Sequence, residues 1–227
     1  MPKTAQNQDT GFLKIIAVIS MMADHIGKAF FPSVAVWQLV GRIAFPIFVY
    51  CLVVGCLHTR DIKKYLLRLL IFAVITQPIY VLNFFERFEY WNHLNIMFTL
   101  FFGAIAVYGL MDLRRRWWML LPCIAACIFL QLEYGTYGVV LIIAFYAFRD
   151  SRWISAVFVA LLLAVPFFWA PYIMIGGVEI GAQGFAVFTV PFIYARTNLK
   201  LKINKYFFYA FYPAHILVII TIGRILK

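Results

Sequence analysis

The feature that most limits what this chain can fold into is the recurrence of apolar runs long enough to cross a bilayer. Stretches such as "FPIFVYCLVVGCL" and "VVLIIAFYAF" are apolar on every side, and similar runs return along all 227 residues. A spanning helix needs about 20 such residues, because the hydrocarbon core is about 30 Å thick. Strands of a transmembrane barrel would alternate apolar and polar residues, and these runs do not. Composition agrees: 65% of residues are hydrophobic, only 13% are charged, and mean hydropathy is +0.90, too little polar surface for a soluble domain. The sequence therefore predicts an all-α, polytopic helical bundle in the lipid bilayer, one domain over residues 1–227.

The predicted spans are 12–31, 37–57, 65–85, 94–111, 117–132, 137–149, 153–170, 182–195 and 206–226. The fifth, sixth and eighth are short, so the expected number is eight or nine. No internal repeat is visible. The first run carries no cleavage-type small-residue site and is expected to be a retained helix. Lys3 and Lys14 precede the first span; Arg60, Lys63 and Lys64 follow the second; Arg114, Arg115 and Arg116 the fourth; Arg149 and Arg152 the sixth; Arg196, Lys200, Lys202 and Lys205 the eighth. The alternate loops hold Glu86, Glu89, Glu133 and Glu179. Basic loops face the cytoplasm, so the N-terminus is expected there, with nine spans placing the C-terminus outside. The same asymmetry accounts for the formal charge of +11 without nucleic acid. Cys51, Cys56, Cys123 and Cys127 sit in apolar runs without C-x-x-C spacing and read as packing residues, and no metal site is expected.

Polar groups at membrane depth are costly and tend to face cavities or partners. Asp24 and His25 interrupt "LKIIAVISMMADHIG". Neighbouring helix positions point about 100° apart, so they serve different faces; Asp24 can reach Lys28 one turn on. His25, with its near-neutral titration, suits general acid/base work, and the bland alternative is a hydrogen-bonded packing pair. Arg42 in "QLVGRIAFPIF" could pair with Asp24 or snorkel to the interface; Gly41 permits close helix approach and Pro46 a kink. His58, Thr59, Arg60, Lys63, Lys64 and Arg68 form a cluster suited to phosphates, or plain positive-inside charge. Single polar groups follow: His93 and Asn95, Glu133 and Tyr134, then Tyr209, Tyr212 and His215, with Tyr212 and His215 on one helical face. No P-loop, dinucleotide fingerprint, zinc-protease motif or serine-nucleophile elbow occurs.

In order along the chain, "LKIIAVISMMADHIG", "GRIAFPIFVYCLVVGCLHTRDIKKYLLRLLIFAVITQPIY", "LNIMFTLFFGAIAVYG", "YGTYGVVLIIAFY" and "YFFYAFYPAHILVI" resemble the TraX/TrbP-type membrane proteins of conjugative transfer. The resemblance covers about residues 12–220, with no quotable match over 150–200. It implies N-terminal acetylation of pilin at the outer side of the bacterial inner membrane. Acetyl-CoA would be the cytosolic co-substrate, and a pilin or other amine-bearing molecule the acceptor. Carried over residue by residue, it makes Asp24, His25 and Arg42 catalytic candidates and His58 and Arg60 coenzyme-binding ones, with Lys63 and Arg68 beside them. Asn95, Glu133, Tyr212 and His215 are further pocket candidates. His25 would act as general base or carry the acetyl group. Two other readings stay open: a proton-coupled or small-molecule transporter using the same groups as a relay, and a non-enzymatic assembly protein of the conjugation machinery.

Overall fold

The structure is a computed structural model that describes residues 9–84, 91–169, 172–175, 178–195, 197, 199, 201 and 203–225. Lys3, Glu86, Glu89, Arg196, Lys200 and Lys202, used above for orientation, lie outside the described residues, as does the side chain of Lys205. The chain divides into two compact units. Among the described residues, one holds Leu52–Ala147 and Lys205–Val218; the other holds those from Asp9 to Cys51, those within Phe148–Asn204 and those from Ile219 to Ile225.

In the second of these units, helix α1 (Thr10–Phe30) starts at Asp9, whose Oδ1 accepts the Phe12 N–H and whose Oδ2 accepts the Leu199 N–H. It turns back into α2 (Ala35–Gly41), and the two pack side by side. The expected second span is broken at Arg42 and Ile43, and α3 (Ala44–His58) resumes beyond. Pro46 explains the break: it has no N–H to give the carbonyl four residues back, yet fits the first turn of a new helix. Further on, α9 (Arg152–Ala164) tightens at Pro166 into a 3-10 turn, Val165–Phe168. A hairpin of β3 (Tyr172–Ile175) and β4 (Val178–Gly181) pairs antiparallel, Tyr172 opposite Gly181. A 3-10 helix, Ala182–Thr189, then leads into α10 (Val190–Tyr194) and packs against α2 and α9. Arg152 donates to the Tyr194 carbonyl, and Ser155 shares a 2.6 Å hydrogen bond with the Tyr194 hydroxyl, tying α9 to α10.

The other unit is built on α4 (Ile62–Phe84) and α5 (Ile96–Leu110). Between them lies β1 (His93–Leu94), paired parallel with β2 (Gln131–Leu132). A short α6 (Leu113–Arg116) and a 3-10 turn, Trp117–Met119, lead to α7 (Leu120–Phe129), and α8 (Gly135–Ala147) follows β2. Helix α5 is the hub, packed on α4, α7 and α8. At Gly103 a Cβ would lie 2.1 Å from Ile142 Cδ1, so the missing side chain lets α8 come close. Cys123, buried with Ile105 and Ala106, donates its thiol to the Phe102 carbonyl, which fits the packing role expected of the cysteines. The last helix, α11 (Lys205–Ile225), stacks Tyr209 on Phe72 of α4, ring centroids 5.1 Å apart.

Among the described residues, each of the nine apolar runs holds a helical segment, and four segments are long and apolar enough to cross a membrane: Thr10–Phe30, Ala35–His58, Ile62–Leu82 and Tyr206–Ile225. The others are shorter. Fifteen residues of α5 rise about 22 Å, less than the hydrocarbon thickness. Local chemistry trims them: Asn95 caps α5, and Tyr134 and Gly135, with φ of 64° and 50°, force the chain to turn where α8 begins. Large apolar side chains such as Ile19, Leu67, Val74, Ile128, Phe129, Trp153 and Leu161 are exposed, as lipid-facing residues are.

Candidate catalytic and binding residues

In the unit containing α1 and α2, the helix pair approaches closely because glycines remove its spacers. A Cβ on Gly27 would fall 2.2 Å from Trp37 Cβ, and one on Gly41 would fall 2.3 Å from Asp24 Cβ and 2.7 Å from Asp24 Oδ1. Ser20 Oγ donates to the Val40 carbonyl beside them. Asp24 is thus laid on the last residue of α2, with 8% of its surface exposed. Lys28 Nζ holds Oδ2 at 2.5 Å, the one-turn pairing expected from spacing. Oδ1 is buried and has no hydrogen-bond partner among the described residues.

Arg42 follows Gly41 directly. The anticipated Arg42–Asp24 ion pair is absent among the described residues: Lys28 occupies the carboxylate, and Arg42 Nη1 instead donates to Gln183 Oε1 at 3.1 Å. Arg42 Nε and Gln183 Nε2 are both buried without a partner. An unmet buried polar atom costs about 1–3 kcal/mol, so three in one neighbourhood mark an unusual place. His25 is half-buried, on another face of α1 from Asp24, with contacts of its own. Sequence reasoning missed Gln183. The available signal was "GAQGF", a polar residue between two glycines in an apolar run; those glycines lie against Pro166 and Phe167, with Cβ clearances of 2.0 and 2.3 Å.

In the other unit, the basic cluster collects at the α3–α4 turn. Asp61 Oδ1 accepts the Lys64 N–H at 3.0 Å and so caps α4. That hydrogen bond holds the Asp61 carboxyl below its ordinary pKa. His58 Nδ1 lies 2.9 Å from the Val54 carbonyl, so Nδ1 carries the proton and, in the neutral ring, Nε2 is the open acceptor. His58, Arg60, Lys63 and Lys64 are exposed, whereas Arg68 is half-buried, its guanidinium beside the Tyr209 hydroxyl and 5.7 Å from the Tyr65 ring centroid. The turn thus gathers exposed basic side chains, Lys64 paired with Asp61 at 3.5 Å, around one half-buried guanidinium.

At the far end of α4, Asn95 turns out to be committed. Its Nδ2 donates to the Ala73 carbonyl and Gln77 Oε1, and its Oδ1 caps the Met97 N–H. Gln77 in turn donates to the carbonyls of Trp91 and His93. The amide of this pocket candidate holds α4 to α5. Glu133 joins the same end: its N–H donates to the Leu94 carbonyl, its carbonyl accepts from Thr99, and its carboxyl faces Tyr80 and Tyr212. His215 donates Nδ1–H to the Phe211 carbonyl and stacks on the Phe211 ring, 5.7 Å from the Tyr212 ring. Glu133, Tyr212 and His215 are therefore brought together. Tyr80 joins them unforeseen, because a tyrosine inside an apolar run carries no marker of its own.

A family model described as "TraX protein" matches residues 9–223. The chain belongs to the TraX family. Over 240 aligned residues it is 28% identical to a "Probable fimbrial assembly protein FimC, serogroup H1" of Dichelobacter nodosus, covering 95% of this chain and 96% of that protein. An uncharacterized protein of Rickettsia prowazekii (strain Madrid E) is 34% identical over 106 residues, 46% of this chain and 39% of the relative. No solved structure matches. The TraX match spans every candidate above and also takes in Gln183, so the stretch that offered no quotable resemblance belongs to the family region as well.

Proposed function

We propose that this TraX-family chain is a membrane-embedded acetyltransferase. It moves an acetyl group from cytosolic acetyl-CoA to an amine, the N-terminus of a pilin subunit, at the outer side of the inner membrane. The observation that carries this reading is the group of buried, incompletely satisfied polar atoms on Asp24 and Arg42, in segments otherwise made of oil. Family membership and a relative named for fimbrial assembly support the pilin side of it. A buried polar group without a protein partner calls for a water, an ion or a ligand to meet it.

Roles follow from chemistry. His25 is the general base for the acceptor amine, and Asp24 favours the charged forms that arise. Arg42 stabilises negative charge on the thioester oxygen. His58, Arg60, Lys63 and Arg68 bind the coenzyme phosphates. With acetyl-CoA too polar to cross a membrane, basic loops on the cytoplasmic side suit it, and the processed pilin N-terminus lies on the other side.

The test uses the protein in nanodiscs with radiolabelled acetyl-CoA, a pilin and generic amines, comparing wild type with His25→Ala. Transfer that His25→Ala abolishes supports the enzyme. A folded preparation that shows neither binding nor transfer overturns it. The relative's name also favours a second reading, an assembly protein without chemistry, for which His25→Ala would leave pilus formation intact.

A further inference from the structure

The helices of the unit built on α4 and α5 are unequal in length, and their polar ends meet at one level. The spanning part of α4, Ile62–Leu82, rises about 32 Å, enough for the hydrocarbon core. Helix α5 rises only about 22 Å and α8 about 20 Å. Arg60 and Lys63 stand at the start of α4, and Arg114, Arg115 and Arg116 just beyond the end of α5, so one side of this packed pair is basic. Asn95 fixes the other end of α5. It bonds the Ala73 carbonyl and Gln77, which places it about 8–14 Å short of Leu82, within the span of α4. The strands lie in that layer: Gln77 donates to the His93 carbonyl of β1, and the Glu133 N–H, just past β2, donates to the Leu94 carbonyl.

A sheet of two short strands has open edges. At membrane depth such backbone is tolerated only where protein covers it or water reaches it, because lipid offers its N–H and C=O groups nothing. Protein does not cover this layer fully: Gln131 of β2 and Thr136 are exposed, and Glu133, Tyr134 and Tyr137 are half-buried. That leaves water. The carboxyl of Glu133 faces Tyr80 and Tyr212, and a carboxylate beside aromatic rings suits an ammonium group, which takes charge from one and ring faces from the others. We propose that the β1–β2 layer is the floor of a water-filled recess, open on the side away from the basic turns, which takes the acceptor's ammonium group onto the Glu133 carboxylate. The occupant rests on the acyl-transfer reading; the recess does not.

Thiol labelling tests the recess. Sealed vesicles of one orientation are treated on each side in turn with a charged, membrane-impermeant maleimide. Gln131→Cys and Thr136→Cys should react from one face, and Arg115→Cys, at the basic end, from the opposite face. Val74→Cys lies at the level of Ala73 but is 56% exposed in an apolar stretch; it should react no more than wild type, whose own cysteines are buried or half-buried. Gln131→Cys and Thr136→Cys both inert would mean a layer sealed from water, and overturns the recess. Val74→Cys labelled alongside them would mean that the bilayer ends at this level, and overturns it equally. The occupant is tested by transfer kinetics in nanodiscs. Glu133→Gln should raise KM for the amine about tenfold or more with KM for acetyl-CoA unchanged, and Glu133→Asp, which keeps the charge, should recover most of that loss. An amine KM that Glu133→Gln leaves unaltered overturns Glu133 as the ammonium's partner. A folded wild type that transfers no acetyl overturns the acyl-transfer reading and this occupant with it, and the labelling still decides the recess.

Discussion

Arg42 and Gln183 stand 141 positions apart in sequence, yet Nη1 of one donates to Oε1 of the other at 3.1 Å. The bond fastens the end of α2 to the 3-10 helix at 182–189, where Thr189 also donates to the Ile43 carbonyl at 3.4 Å. A break in the second apolar span thereby becomes a fixed corner, with both of its backbone turn residues engaged: one presents its guanidinium, the other its carbonyl.

Gly41→Ala should damage this corner. The new methyl would meet Asp24 at 2.3 Å, in a helix pair with no slack. We expect a loss of about 1–3 kcal/mol and a fall in acetyl transfer, read by thermal melting in detergent and by the transfer assay. Gly223→Ala, with nothing within 4 Å of the added methyl, is the control and should match wild type. Equal melting of the two variants would contradict the packing described.

Asn95→Ala should be the costlier change for stability. It strands the Met97 N–H, at about 1–3 kcal/mol for a group left dry, and removes the Nδ2 donor shared by the Ala73 carbonyl and Gln77 Oε1, the latter keeping the residue-95 backbone N–H. Amide hydrogen exchange should rise first at the α4–α5 junction. Unchanged exchange there would show that the network does not hold the two helices.

Asp61 gives a pH signature. Its carboxyl lies below the ordinary value, first through the Lys64 N–H, so its cap is at full strength above the unfolded pKa of about 3.9 and is lost as pH falls through the lower folded value. Asp61→Asn keeps an acceptor and should flatten the acid limb of the stability curve. The two proteins should melt alike at neutral pH. An acid limb as steep in the variant as in wild type would assign that pH dependence elsewhere.

Arg60→Glu with Lys63→Glu should weaken acetyl-CoA binding several-fold, because exposed ion pairs contribute about 0.2–1 kcal/mol each and reversal adds repulsion. The difference should shrink at high salt, where the screening length falls to about 3 Å. Titration calorimetry in nanodiscs at two salt concentrations measures it. Affinity indifferent to both charges and salt would place the phosphates elsewhere.

Hydropathy located the helices because bilayer thickness and helix rise leave little choice; the bounds at 10–30, 62–84 and 205–225 differ from expectation by a few residues. The lengths of the others were hidden in side-chain chemistry: Asn95 as a cap, Pro166 as a constriction, and Tyr134 held at positive φ. Asp24 and Arg42 were legible because charge in oil is conspicuous, and Asp24–Lys28 because helical spacing is local. Arg42's partner was not, since a glutamine 141 residues away follows no periodicity. The bonds of Asn95 were hidden because they reach back to Ala73 and Gln77, pairings set by how two helices meet.

The distance between Arg42 and Gln183 along the chain also sets an order of events at the ribosome. The Asn95–Gln77 bonds join residues 18 apart and can close almost as soon as both emerge. Arg42 has to wait while 141 further residues are made, on the order of ten seconds at ordinary synthesis rates. During that interval its guanidinium lies in or beside the membrane without its native companion. Until Gln183 is made, the interface is what a lone guanidinium can snorkel to, and truncation before Gln183 should leave the corner at Arg42 unfastened.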